Sequence, residues 1–251
     1  MSNHILSIDL DIIFSNSLGL CTSFSERMAR EAFWDQVYRD FKKEYFQPNR
    51  EYCKQLKKIL NSYIYKVDKI YIGQDHSSII QALDMEKDKF NKDYSFDIHN
   101  IDFHHDISYG QTDEDEVTES FVCNCGSWVG LLNHCGYINS YTWYYGFGSN
   151  FREKALLGGD NPLTPRRLHR LPFENINFPM ELDIKMLYIT FSPLWIPYGQ
   201  EDIVFNILNS LPKEKIVFLK DPYFCNQERK DFLNHHYRRE RFIYNGEFKL
   251  D

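Results

Sequence analysis

Strand-like apolar runs alternate with amphipathic helix-like segments along most of this chain, and that alternation leaves few folds open to it. Residues 4–10 form an unbroken apolar run with Ile5, Leu6, Ile8 and Leu10. Residues 25–46 then show helical spacing, with Met28, Ala32, Phe33, Val37, Tyr38 and Phe41 on one side, until Pro48 stops the pattern. A second helix is predicted over 49–65, with Tyr52, Leu56, Ile59, Leu60 and Tyr63 as its stripe. Further strands are predicted at 67–72, 96–103, 121–125, 138–145, 185–191 and 215–219. Further helices are predicted at 77–85, capped by Ser77 or Ser78, and at 127–135, 201–210 and 228–238. Such alternation gives a parallel sheet covered on both faces. The expected fold is a single α/β domain over 1–251, a three-layer α/β/α arrangement with a mostly parallel central sheet. Residues 147–183, rich in Pro and Gly (Pro162, Pro165, Pro172, Pro179, Gly148, Gly158, Gly159), read as long loops.

The 251 residues suit one α/β domain. Hydrophobic residues make up 43%, with 20 Phe and 17 Tyr, so a sizeable core can form. A net charge of -7 argues against general nucleic-acid binding, which needs a basic face. No apolar run is long enough to span a bilayer, and Asp9 and Asp11 interrupt the first one, unlike a secretory signal. A cytoplasmic location with six reduced cysteines is therefore expected. Cys123, Cys125 and Cys135 lack the paired spacing of a zinc site and read as plain thiols. The acidic run 113–116 reads as a solvated loop, with docking of a basic peptide as the sharper alternative.

Three short segments end predicted strands, where active sites of open α/β sheets gather. They are Ser7-Ile8-Asp9-Leu10-Asp11, Gly73-Gln74-Asp75-His76-Ser77 and Asp102-Phe103-His104-His105-Asp106. In an extended segment, residues two apart point to one side, so Asp102, His104 and Asp106 would project together, as would Asp9 and Asp11. If the strands are neighbours, four carboxylates and two imidazoles converge. Aspartates so close cannot all stay ionised without cations. Oxygen donors dominate this set, which suits Mn²⁺ best, with Zn²⁺, Fe²⁺ or Co²⁺ also possible. Taken singly, each segment also has a bland reading: an aspartate pair as a turn or cap, and His76 as part of a helix start.

These segments resemble those of the arginase family, the ureohydrolases, which carry Gly-Gly-Asp-His-Ser, Asp-x-His-x-Asp and Ser-x-Asp-x-Asp. The match covers residues 4–130. The resemblance implies two Mn²⁺ ions, one on His76, Asp102, Asp106 and Asp9, the other on His104, Asp102, Asp9 and Asp11. It implies hydrolysis of a guanidinium to urea and an amine by water activated between the metals. Ordinary arginases place the Ser-x-Asp-x-Asp strand last of the three, whereas here it comes first. That order is similar to the peptide arginases, which convert arginine side chains of a ribosomally synthesised precursor peptide to ornithine. Such a substrate peptide is the partner the resemblance implies.

Two departures stand out. The proton-shuttle histidine of arginases has no counterpart at the matching spacing; Glu119 lies there and His134 lies farther along, so Asp106 and Glu119 are the catalytic candidates. The late-strand glutamate that holds the guanidinium is also missing from Thr190-Phe191-Ser192-Pro193. Asn124, Ser127 and Trp128 are the candidate substrate-binding residues, with a helix start and a core Trp as the plainer role. Three other functions stay open: a ureohydrolase of free arginine or agmatine, a zinc deacetylase of the same superfold using Asp102 to His105, and a non-catalytic metal-binding relative.

Overall fold

The computed structural model describes residues 3–14, 30–86, 89–90, 95–107, 126–149, 163–176 and 181–219. The predicted strand 121–125, the helix 228–238, the acidic run 113–116 and residues 25–29 lie outside them. Seven strands form one sheet: β1 Asn3–Asp9, β2 Ile70–Gly73, β3 Phe96–Ile101, β4 Ile138–Tyr145, β5 Leu168–Pro172, β6 Ile184–Thr190 and β7 Ile216–Phe218. Their order is β5-β4-β3-β1-β6-β2-β7, and every pairing is parallel. The α-helices among the described residues are α1 Arg30–Asp40, α2 Arg50–Tyr63, α3 Ile79–Met85, α4 Trp128–His134 and α5 Glu201–Asn209.

β1 is the middle strand, bonded to β3 on one side and to β6 on the other. Both its faces are covered, which is why its run is apolar without alternation. Leu6 and Ile8 join the core under α1, α2 and α5, together with Trp34, Leu56 and Ile207. Ile5 points the other way, into a second core with Ile79 of α3 and Trp128 of α4. Helices thus cover both faces, and the three layers predicted from sequence are present.

Local signals explain most boundaries. The Asn49 side chain accepts the N–H groups of Glu51 and Tyr52 and so starts α2, whose buried stripe is Tyr52, Leu56, Ile59, Leu60 and Tyr63. The helix predicted over 25–46 ends at Asp40 instead. Extended backbone at Lys42 leads into a 3-10 turn, Lys43–Phe46, and the turn drives Phe46 edge-on into Trp34 at 5.3 Å. β5 falls within the stretch read as loop. It sits at the sheet edge with His169, Arg170 and Leu171 exposed, so burial never demanded an apolar pattern there.

Candidate metal centre

All three acidic segments lie at the C-terminal edge of the sheet and adopt one local device. Where β1 ends, Asp9 Oδ1 accepts the N–H of Asp11 at 3.0 Å. After β2, Asp75 Oδ1 accepts the N–H of Ser77 at 2.8 Å. After β3, Asp102 Oδ1 accepts the N–H of His104 at 2.8 Å. Each is an Asx turn, which folds the chain back over the strand end. The residues therefore converge, but not by strand alternation: β3 stops at Ile101, and Asp106 is reached through left-handed backbone at φ 55°. Asp11 likewise belongs to a 3-10 helix, Leu10–Phe14.

The direct pairing of β1 with β3 sets Asp9 beside Asp102, and β6 alone separates β1 from β2 and its His76. His76 Nδ1 faces Asp106 Oδ2 at 2.8 Å, Asp102 Oδ2 at 3.1 Å and Asp9 Oδ2 at 3.7 Å. His104 Nδ1 faces Asp11 Oδ2 at 3.4 Å and Asp102 Oδ1 at 3.8 Å. Two groups have donor atoms within 4.8 Å of one another and can hold a metal ion: Asp9, His76 and Asp102, and Asp11, Asp102 and His104. Asp102 belongs to both, turning one oxygen toward each imidazole.

The electrostatics call for a cation. Burial, then the charges of Asp11 and Asp102, push the Asp9 carboxyl well above the usual range. Burial and Asp102 raise Asp11 as well. Burial and then Asp106 lift Asp102 to about 6. Burial opposes a charge on His76, yet Asp106 and Asp102 outweigh it and hold the imidazole well above its ordinary value. Asp11 is fully buried, and among the described residues its Oδ1 accepts no hydrogen bond. An unsatisfied buried carboxylate oxygen is costly unless a cation completes it. The donor set and this unfilled acceptor both fit a metal.

A ring of neighbours fixes the donors. Ser7 Oγ lies 3.0 Å from His76 Nε2, which leaves Nδ1 to the carboxylates. The Asn100 amide donates to Asp102 Oδ2 at 3.3 Å and to the Tyr141 hydroxyl at 3.0 Å. Ser192 Oγ donates to Asp9 Oδ2 at 2.5 Å, and the Ser192 N–H donates to the Gln74 carbonyl at 2.9 Å, tying the ends of β6 and β2 together. Sequence reasoning missed Asn100, Tyr141 and Ser192 as parts of the site. For Ser192 the sequence signal was slight, its place between the predicted strand 185–191 and Pro193; its left-handed φ of 36° shows only in the structure.

The remaining candidates part ways. Trp128 and Ser127 are fully buried, and the Trp128 indole N–H donates to Asp106 Oδ2 at 2.7 Å, so what it touches is a metal-site carboxylate. Glu119 and Asn124 lie outside the described residues, as do Cys123 and Cys125. His134 is exposed at the far end of α4, and Cys135 beside it is exposed. His105 turns away from the cluster: its Nδ1 accepts the Ile107 N–H at 3.0 Å, and its ring meets Trp143 edge-on at 5.8 Å. No helix among the described residues is long and apolar enough to cross a membrane. Compared with models of protein families, with curated proteins and with solved structures, the chain matches none of them.

Proposed function

We propose that this chain is a binuclear manganese hydrolase of the arginase type, cytoplasmic, which converts arginine side chains of a ribosomally made precursor peptide to ornithine and releases urea. The observation that carries the reading is Asp102, whose two oxygens face two separate imidazoles and so join two metal-holding groups into one centre. His76, Asp9, Asp102 and Asp106 would hold one ion, and His104, Asp11, Asp9 and Asp102 the other. Four carboxylates and two imidazoles with no thiolate favour Mn²⁺. Divalent ions in such a centre supply Lewis acidity and a water acidified toward neutral pH. The protein's own part is positional. The Asx turns and Ser7 aim the donors, and the buried sheet edge keeps bulk water from the carboxylates. His105, buried against Trp143, stands apart from both groups, which favours the two-metal register over that of a zinc deacetylase.

The test is a metal count on the purified chain, paired with urea and mass assays on an arginine-containing precursor peptide. About two metals per chain, urea, and a loss of about 42 Da per modified arginine are expected from guanidinium hydrolysis by a two-metal centre. Two metals with urea only from free arginine or agmatine would move the substrate to a small guanidino compound. One metal or none would overturn the binuclear reading.

A further inference from the structure

We propose that Trp195 forms the substrate-facing wall of this centre and holds the guanidinium against its indole face, in place of a carboxylate; the proposal rests on the guanidinium-hydrolase reading above. Of the six donors, His104 is the one most open to solvent. The side chains of His76 and Asp9 are 2% exposed, Asp102 1%, Asp106 4% and Asp11 0%, whereas His104 is 16% exposed. A substrate reaching the metals from solvent passes this imidazole.

Beside it stands Trp195, half-buried, with its ring centroid 4.9 Å from that of His104 and inclined at 49°. The ring is held in place. Phe33 of α1 meets the indole edge-on at 5.9 Å, and the Trp195 backbone N–H donates to the Ser192 carbonyl at 2.8 Å. The flanking backbone is strapped to the same helix: Trp34 Nε1 donates to the Leu194 carbonyl at 3.0 Å, and the Tyr38 hydroxyl to the Tyr198 carbonyl at 2.9 Å. A face fixed this way loses little entropy when a ligand settles on it.

Charge leaves a gap that the indole fills. Residues 184–200, which run along β6 and over this side of the centre, contain no Asp or Glu. Asp9, Asp11, Asp102 and Asp106 are placed to hold metals, which take up their charge, and Asp75 is turned to Ser77. A planar, weakly hydrated guanidinium stacks well on an indole face, the strongest aromatic partner for a cation.

The experiment compares the manganese-loaded full chain with Trp195→Leu and Trp195→Phe, using a fluorescein-labelled Gly-Arg-Gly peptide and its neutral isostere Gly-citrulline-Gly. Urea release and peptide binding are both measured, with metal content as a control. Trp195→Leu is expected to raise KM for the arginine peptide about tenfold, which is about 1.4 kcal/mol. It should erase the preference for arginine over citrulline at unchanged metal content, and Trp195→Phe should restore most of that preference. Urea release with an unchanged KM in Trp195→Leu, or equal weakening of both peptides, would overturn the proposal. If the wild type binds two metals but releases no urea, the hydrolase reading fails by itself. Binding then decides: an arginine preference lost in Trp195→Leu upholds the stacking role, and no preference in the wild type overturns it.

Discussion

Asp106 Oδ2 accepts the Trp128 indole N–H at 2.7 Å while standing 2.8 Å from His76 Nδ1. One carboxylate oxygen is thus shared between a core tryptophan and a metal-site imidazole. The Trp128 ring also lies 5.5 Å from the His76 ring, tilted by 30°, so it braces both donors from behind. Because α4 opens on Trp128 and Val129 donates its N–H to the Asp106 carbonyl at 3.1 Å, helix and metal segment are tied directly to each other.

Trp128→Phe tests that brace. It keeps most of the buried ring but deletes the donor, so Asp106 loses its fixed orientation. Neighbours of this kind alter metal affinity by about 10–100-fold. Metal titration against a competing chelator should show weakening of that order with a folded protein. Unchanged affinity would mean that Asp106 is held by other contacts.

How much of this was legible in the sequence differs from residue to residue. The donors were, because Asp and His at strand ends are costly to bury and the chain repeats that expense three times within 106 residues. Their convergence was anticipated for a reason that does not hold, since turns at Asp9 and Asp102 bring them together after the strands have ended. The plainer reading of Trp128, a core tryptophan at a helix start, holds, and its contact with Asp106 was hidden because the sequence gives no hint of which way the indole N–H points. Asn100 was invisible and Ser192 nearly so, since each joins the centre through contacts, to Tyr141 41 residues away and to Asp9 183 residues away, that periodicity does not encode. β5 was missed because an exposed edge strand carries no apolar pattern.

The raised carboxyl of Asp102 makes a pH prediction for the metal-free chain. Its folded pKa of about 6 lies above the ordinary 3.8, so between those values the folded state binds more protons than the unfolded one. Stability is then fully present below about pH 4 and falls as pH rises through about 6, by on the order of a few kcal/mol. His76, also raised, adds to the loss at higher pH. Denaturant unfolding of chelator-treated protein from pH 4 to 7 should show this decline, and Asp102→Asn should make it shallower, the raised Asp9 and Asp11 supplying the rest. Manganese should reverse it, binding more tightly as pH rises, because it displaces the protons. A metal-free stability that rises over that window would contradict the like-charge cluster.

Asp102→Ala and Asp9→Ala are expected to abolish tight binding of the second ion and all hydrolysis, because each carboxylate is proposed to serve both ions. Metal content and urea assays check both variants, and wild-type activity in either would show the ligand assignment to be wrong.

Gly73 ends β2 where the chain turns to place His76. A Cβ there would fall on Ser78 Oγ and the Tyr188 hydroxyl. Those two groups are bonded to each other at 2.8 Å, and Ser78 Oγ also donates to the Asp75 carbonyl at 3.0 Å. Gly73→Ala should therefore cost about 1–3 kcal/mol of stability by overpacking. It should also weaken metal binding, by moving the turn that carries His76. Thermal unfolding and chelator competition measure the two effects, and an alanine tolerated in both would show that the turn gives way freely.

His104→Ala and His105→Ala separate the two registers available to the metal segment. His104 Nδ1 faces Asp11 and Asp102, whereas His105 Nδ1 accepts a backbone N–H and the His105 carbonyl accepts the Tyr141 hydroxyl at 2.8 Å. Burial, then the charges of His104 and Arg170, hold His105 down at about 3, so it stays neutral and serves as a core acceptor. His104→Ala should remove one ion and all hydrolysis with little change in folding. His105→Ala should leave the Ile107 N–H without its partner and cost about 1–3 kcal/mol of stability while keeping both ions. Metal counts and denaturant midpoints on the pair distinguish these outcomes. Loss of metal from His105→Ala as complete as from His104→Ala would place the ion in the Asp102–His104–His105 register and favour the single-metal deacetylase over the binuclear hydrolase.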